Sequence, residues 1–481
     1  MNRTAIVAAV ALVSSAFFAA PPQSQGGDLA RRINSAPDGI VKMTYTARGG
    51  ICGDGRTFIA DDSNGSRGLD VWFMDGMTMS TLSGDISARC ARGPVRLLLV
   101  VRDHRVVDVQ PFVGPSSSAT ERAGTDLGTV ATSAVSSYLL DLAARGREDV
   151  SRNAILSASI ADSVRIAQPL AGMARNKSLA TPVREAALKW VGRVAAREGD
   201  REATHVARTI LDDRDDQLDL RERAVRVIGE ETDGPAYLRG AYARLQESTL
   251  RERAVRVIGE NGTRTDMDWI RAVALDRAER SDIRERAVRA LGEASDGRSL
   301  RELYDRLDDA ALRERVVRVM AEIGDADSRK WLREVVERSS ESSSVRERAI
   351  RSLAEIGDMT YLQQAYRSLD DEGLRERILR VVAEGGGSDT KKWLGDIARD
   401  AKQPSGLRER AVRSLAESGA ATSELVALYD GIPDRSVRDR LVNLLAERGD
   451  RAARDKLRAI ADSDPDEDLR RRAVRKLTES R

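Results

Sequence analysis

Ten near copies of one eleven-residue phrase run from Val183 to the C-terminal end of the chain. They read LRERAVRVIGE from Leu220 and again from Leu250, IRERAVRALGE from Ile283, VRERAIRSLAE from Val345 and LRERAVRSLAE from Leu407. A unit this short cannot bury its own apolar face, so copies at regular spacing must stack on one another and build a helical solenoid. The copies are anchored at Val183, Leu220, Leu250, Ile283, Leu312, Val345, Leu374, Leu407, Val437 and Leu469. After Leu220 the spacing alternates between about 30 and about 33 residues, so the true unit is a pair of repeats of about 62 residues. The longer gaps carry Trp269, Trp331 and Trp393, and the shorter ones Tyr242, Tyr304, Tyr366 and Tyr429. Spaced among Leu, Ile and Val, these rings read as core between helices.

Each phrase carries its own helix signals. An N-cap type precedes the anchor and an acid follows three residues later, as in Asp219 with Glu222, Thr249 with Glu252, Asp282 with Glu285 and Ser344 with Glu347, the pattern of a capping box. Glycine recurs past the end, at Gly262, Gly324, Gly357, Gly386, Gly419 and Gly449, where a left-handed stop is expected. On a helical wheel the anchor and positions four, five, seven and eight after it form one apolar arc, for example Leu250, Ala254, Val255, Val257 and Ile258.

Arginine follows every anchor and falls inside that arc: Arg184, Arg221, Arg251, Arg284, Arg313, Arg346, Arg375, Arg408, Arg438 and Arg470. A buried guanidinium must be paired, so these residues are expected to form a structural ladder, with loop acids such as Asp308 or Asp370 of a neighbouring repeat as acceptors. The arginines three past the anchor, Arg223, Arg253, Arg286, Arg315, Arg348, Arg377 and Arg410, fall on the opposite face. They are the candidate partner-binding residues.

Residues 1–20 have a basic start at Arg3 and an apolar stretch, and read as a secretory signal peptide; retention as an anchor is the alternative. There is no cysteine nearby to carry a lipid, and no later segment approaches the ~20 apolar residues of a membrane span. Export to the periplasm or cell envelope is the expected localisation, and it makes Cys52 and Cys90 expected disulfide partners, with two free thiols as the alternative. Residues 28–113 lack the phrase and read as a small β-rich domain. Within it residues 40–48 (IVKMTYTAR) form a strand, and residues 95–113 form a hairpin that turns at Asp103 and His104. Residues 114–124 (GPSSSATERAG) mark a linker, residues 125–180 degenerate first repeats, and residues 181–481 the regular array.

Lys plus Arg number 79 against 77 Asp plus Glu, a net charge of +2. Such balance argues against a nucleic-acid partner, which calls for a basic face. With two histidines and two cysteines, no metal cluster or Ser-His-Asp set can be assembled, so no cofactor and no catalysis are expected.

The phrase resembles HEAT repeats of the short, phycobilisome-lyase type, over about residues 126 to 481. The resemblance implies a mainly α fold: a right-handed α-solenoid of HEAT-like helix pairs, here preceded by the small disulfide-linked β domain. One branch of that class, deoxyhypusine hydroxylase, holds two irons with His-Glu pairs. Here His104 is followed by Arg105 and His205 by Val206, so that site is not expected. The function expected is a noncatalytic scaffold that binds a protein partner along the solenoid. The alternatives are a lyase-like enzyme acting on a chromophore or cofactor, and small-ligand binding by the β domain.

Overall fold

The computed structural model describes residues 24–53, 55, 57–60, 70–73, 91–114 and 124–479. The expected signal peptide, Cys90 and nearly all of the expected linker lie outside the described residues. The chain divides into two compact units, Met1–Gly234 and Pro235–Arg481; the division falls within the regular repeats.

In the first unit α1 (Ser24–Asn34) precedes β1 (Gly39–Tyr45), β2 (Ile51–Gly53), β3 (Thr57–Ala60), β4 (Asp70–Phe73), β5 (Val95–Arg102), β6 (Arg105–Val113) and β7 (Thr125–Thr129). The expected hairpin is present: Asp103 and His104 both adopt left-handed φ, 48° and 57°, and Arg102 faces Arg105 across the turn. Two left-handed residues in a two-residue loop match the twist of the flanking strands. The sheet order is β6-β5-β1-β7, with β1 antiparallel to β5 and parallel to β7. Strands β2, β3 and β4 form a separate antiparallel sheet.

The period-two pattern of β1 buries Val41, Met43 and Tyr45, alongside Leu97, Leu99 and Val101 of β5 and Val109 and Val113 of β6. One apolar face of this kind needs a second layer. Helices α2 (Thr132–Arg145) and α3 (Glu148–Ser159) help to supply it. Helix α3 lies against β6, α2 packs on α1 and α3, and Tyr45 donates its hydroxyl to Ser157 O at 2.7 Å. Ala47 also bridges Ala161, with Arg48 N bonded to Ile160 O at 2.9 Å and Asp162 N to Thr46 O at 3.0 Å.

The expected partition therefore does not follow the packing. Residues 125–129, read as the start of the solenoid, are a strand of the sheet, and the first helices are the sheet's cover rather than a separate array. Then come α4 (Ala167–Arg175), α5 (Thr181–Glu198), α6 (Arg201–Thr204), α7 (Val206–Asp212) and α8 (Leu218–Gly229), the last carrying the phrase anchored at Leu220.

The second unit is helical throughout: α9 (Gly234–Ala241), α10 (Ser248–Asn261), α11 (Arg264–Leu275), α12 (Ser281–Glu293), α13 (Gly297–Arg306), α14 (Ala310–Ile323), α15 (Ala326–Glu337) and α16 (Ser343–Glu355). It continues as α17 (Met359–Ser368), α18 (Glu372–Gly385), α19 (Ser388–Arg399), α20 (Ser405–Glu417), α21 (Thr422–Gly431), α22 (Arg435–Arg448), α23 (Arg451–Ser463) and α24 (Glu467–Glu479). The even-numbered helices carry the phrase and stack on one another from α10 to α24, while from α11 onward each odd-numbered helix packs on the even one that follows it. The apolar arc is buried as the wheel requires: Leu250, Ala254, Val255, Val257 and Ile258 all lie in the core.

The caps differ from expectation. Each phrase helix begins two residues earlier than read, and its N-cap is the third residue before the anchor. Asp309, Ser342, Asp371 and Asp434 accept from the first-turn amides of their helices. Asp219, Thr249, Asp282 and Ser344 sit inside the first turn instead. At the other end Gly324, Gly357, Gly386, Gly419 and Gly449 have left-handed φ between 61° and 78°, whereas Gly262 is extended.

Candidate interaction face and the arginine ladders

From Arg221 to Arg438 the arginine one past the anchor alternates between two settings, and the alternation follows the 62-residue period. In the first setting, Nε donates to the carbonyl ten residues upstream, at the end of the preceding helix. Arg184 reaches Ala174 O at 2.9 Å, Arg221 reaches Leu211 O at 3.2 Å, Arg284 reaches Ala274 O at 3.0 Å, Arg346 reaches Val336 O at 2.9 Å and Arg408 reaches Ala398 O at 3.0 Å. These guanidiniums close a helix C-terminus, where the dipole favours a cation. Several also reach an acid: Arg184 is bidentate to Asp216 at 2.7 and 2.6 Å, Arg408 meets Asp434 at 2.7 Å and Arg284 meets Asp309 at 3.7 Å. Burial alone would raise the Asp216 carboxyl, but the bonds from Arg184 and the Gln217 amide hold it below its usual value.

In the second setting the guanidinium lies over a tyrosine ring at or just past the end of the preceding helix and bonds a buried acid further along, or in one case a glutamine. Arg251 stands 4.5 Å from the Tyr242 ring centroid and 2.8 Å from Glu279; Arg313 stands 5.2 Å from Tyr304 and 3.0 Å from Glu341. Arg375 stands 4.6 Å from Tyr366 and bonds Gln403, and Arg438 stands 4.5 Å from Tyr429 and bonds Asp464. The same tyrosine donates its hydroxyl to the same acceptor, Tyr242 to Glu279 and Tyr429 to Asp464 at 2.7 Å, and Tyr366 to Gln403 at 3.2 Å. Tyr304 bonds Glu341 in the same way. A tryptophan then meets the tyrosine edge to face, Tyr242 with Trp269 at 5.0 Å, Tyr304 with Trp331 at 4.9 Å and Tyr366 with Trp393 at 5.4 Å. In the fourth box Lys456 lies 5.2 Å above the Tyr429 ring.

Three of the boxes thus hold a ring, a cation and an anion in mutual contact, so their charges are paired as burial requires, and the box at Tyr366 has the neutral Gln403 in place of the anion. Burial pushes the Glu341 carboxyl up, and the bonds from Tyr304 and the Ser342 amide, with the charge of Arg313, more than offset it. The boxes explain the alternation of tyrosine and tryptophan. Their acceptor was legible in the sequence, since Glu279, Glu341, Gln403 and Asp464 recur with nearly the same period. The acceptors expected from the sequence are displaced: Asp308 pairs with Arg277 on the surface, and Asp370 has no part in the ladder.

The arginines three past the anchor are not a free row. Arg223, Arg315 and Arg377 reach back to the acid of the preceding phrase, Glu185, Glu285 and Glu347, at 3.6, 3.1 and 2.8 Å. Arg286 and Arg410 pair within their own helices with Glu293 at 2.7 Å and Glu417 at 3.0 Å. Arg253 is half-buried on α10. Burial holds the Arg348 guanidinium below its usual value; the charges of Arg351 and Arg318 add to the shift, and Glu355 and Glu314 oppose it. Burial lowers Arg410 too; Glu417 opposes the shift, and Arg380 and Arg413 add to it. The row six past the anchor, expected from the sequence to pair with acids of its own helix, is exposed at Arg289 and half-buried at Arg318, Arg351, Arg380 and Arg413. Among the described residues, no acid stands within ion-pair reach of Arg289, Arg318, Arg351 or Arg413, and Arg380 has only Glu376 of its own helix at 3.6 Å.

Elsewhere, Cys52 lies on β2 and its expected partner Cys90 falls outside the described residues. His104 Nδ1 stands 2.8 Å from Asn34 O at the hairpin tip. A cleft of about 280 Å³ in the first unit is lined by Arg48, Asp162, Ser163, Arg197 and Glu198 among others. Both Glu198 oxygens there accept backbone amides that open α4, Ile166 at 2.8 Å and Ala167 at 3.2 Å. Among the described residues no group of three or more His, Cys, Asp or Glu stands ready to hold a metal. No helix among them is long and apolar enough to cross a membrane.

Residues 298–383 match the sequence profile of HEAT repeats. No curated protein matches the chain in sequence. Among solved structures, human deoxyhypusine hydroxylase in complex with glycerol is 16% identical with a TM-score of 0.22, covering 60% of this chain and 98% of that one. Kap95p, solved with RanGDP, is 13% identical at a TM-score of 0.36, and the match covers 72% of this chain and 57% of that one. The pentatricopeptide repeat protein PPR10 in complex with an RNA element is 14% identical at 0.29, covering 72% and 61%. This chain thus spans less than two thirds of the latter two.

Proposed function

We propose that this protein is a noncatalytic scaffold, exported to the periplasm or cell envelope, that binds a protein partner along the outer face of its stacked phrase helices. The observation that carries the reading is the division of labour among the arginines. Those one past the anchor close helix ends and boxes, and most of those three past it tie phrase helices together or to themselves. The row six past it recurs on one helix after another, and among the described residues Arg289, Arg318, Arg351 and Arg413 have no acid within ion-pair reach. A face that repeats at every step of a stack can hold a partner by many modest contacts. The HEAT-repeat match at residues 298–383 supports the same reading. Export would place Cys52 and Cys90 in an oxidising compartment, where a disulfide would staple the sheet region.

The test is crosslinking of the tagged chain in its own host, followed by mass spectrometry. An enriched protein joined to the phrase helices of the second unit is the expected result. The absence of any partner on those helices would overturn the reading.

A further inference from the structure

We infer that the partner presents an extended acidic segment, in polyproline II conformation with a carboxylate at every third residue, lying across Arg289, Arg318, Arg351, Arg380 and Arg413. The inference rests on the scaffold reading above and names the chemistry of the partner for that same face. Three observations lead to it.

The first is charge. Around Arg348 stand Arg318 and Arg351, and around Arg410 stand Arg380 and Arg413, the same triad one repeat pair further on. Glu355 and Glu314 act on Arg348 against those charges, and Glu417 and Glu376 on Arg410. Among the described residues, however, Arg318, Arg351 and Arg413 themselves have no acid within ion-pair reach, so a carboxylate placed on their row would make contacts that the chain leaves open.

The second is spacing. These arginines sit on α12, α14, α16, α18 and α20, consecutive members of one packed stack, and packed helices lie about 8–10 Å apart. A polyproline II chain rises about 3.1 Å per residue with three residues per turn, so every third side chain returns to one side after about 9 Å. A β-strand repeats a face about every 6.6 Å and falls out of step within two helices.

The third is width. Along each helix an acid lies four residues to either side of the arginine, as Glu314 and Glu322 flank Arg318, and Glu347 and Glu355 flank Arg351. Eight residues of helix span about 12 Å, so the positive strip runs between two rows of acids. A helical ligand about 10–12 Å across would press on both rows. A nucleic-acid chain, charged at every phosphate, would meet them as well. A slender chain with neutral residues between its carboxylates meets only the arginines.

The probe is a fluorescein-labelled peptide of four Glu-Pro-Pro triplets, with the full chain in a fluorescence anisotropy titration. The comparison peptide has the same composition with its glutamates in one block. Inorganic polyphosphate and single-stranded DNA of equal charge serve as rival ligands. The expected result is preference for the triplet peptide, weakening with salt. Reversal of either pair, Arg318→Glu with Arg351→Glu or Arg380→Glu with Arg413→Glu, should loosen binding by about tenfold. Arg145→Glu with Arg152→Glu in the first unit should leave it unchanged. Circular dichroism confirms that the variants fold, and the Arg→Gln versions replace any that do not.

Equal binding of the two peptides, or tighter binding of polyphosphate or DNA, would overturn the inference. In the host, a crosslinked partner retained by the Arg318→Glu, Arg351→Glu chain would overturn the inference and leave the scaffold reading standing. A wild-type chain that captures no partner while binding the triplet peptide would remove the scaffold reading instead.

Discussion

Replacing Arg313 by leucine tests the boxes at their most charged example. Arg313 donates from Nε to Leu307 O at 2.7 Å and from one terminal nitrogen to the two oxygens of Glu341 at 3.1 and 3.0 Å. The Glu341 side chain is only 4% exposed. Leucine keeps the apolar stem but leaves Glu341 ionised with Tyr304 and the Ser342 amide as its partners. Breaking a buried pair by removing one member costs about 3–5 kcal/mol. The two surviving bonds hold part of that back, so a loss of about 3 kcal/mol is expected near pH 7.

The companion change is Glu341→Gln. Glutamine already occupies this position in the third box as Gln403, so the double variant should recover about 1–2 kcal/mol of the loss expected from adding the single changes. The sign with pH is fixed as well. Glu341 is held below its ordinary value near 4.5, so the stability it contributes is present above about 4.5 and lost as the pH falls through its folded value. Urea unfolding followed by circular dichroism, with hydrogen exchange over α13 to α16 to localise the effect, gives the numbers. Arg313→Leu within about 0.5 kcal/mol of wild type, with no recovery from Glu341→Gln, would refute the account of the boxes.

Three further outcomes are expected. Burial raises the Glu231 carboxyl to about 7 against the pull of Arg208, with Asp233 and His205 also facing it. A raised carboxyl contributes stability that is full below about 4.5 and lost as pH rises through 7; Glu231→Gln should therefore flatten the fall in urea midpoint between pH 5 and 8. Leu353→Ala, at a fully buried site of α16, should cost about 2–5 kcal/mol in the same unfolding assay. Gly324→Ala, at a left-handed helix end with φ 66°, should cost about 1 kcal/mol and lower the melting temperature.

Where the sequence was legible, periodicity made it so. The apolar arc of each phrase and the hairpin at Asp103 and His104 follow from local pattern and stand in the structure, whereas of the arginines after the anchor Arg184, Arg221, Arg284, Arg346 and Arg408 are buried and those of the boxes only half-buried. Loop acids of a neighbouring repeat were expected and are found, but as Asp216, Asp309, Glu341 and Asp434 rather than Asp308 or Asp370, because which acid meets the arginine depends on a separation of about 26–32 residues that no helical wheel reports. The caps were misplaced because each phrase offers acids and hydroxyls at several successive positions, and the aspartates that cap lie outside the repeated phrase. Strand β7, TDLGT, is too polar to announce itself; it is a strand because β1 has an edge to pair. The row of arginines six past the anchor reads from the sequence as paired within its own helix, which holds for Arg256 and Arg380 but not for Arg289, Arg318, Arg351 and Arg413, while the row three residues earlier is tied to Glu185, Glu285 and Glu347.

The central claim is that the outer face of the stacked phrase helices is where a protein partner sits. It is tested most directly by a photo-reactive side chain placed at Arg351 on α16 or, separately, at Lys330 on the exposed side of α15, with each chain irradiated in the native host. A discrete protein adduct from position 351 and none from position 330 is the predicted result. Adducts from position 330 alone, or from neither position, would contradict the claim.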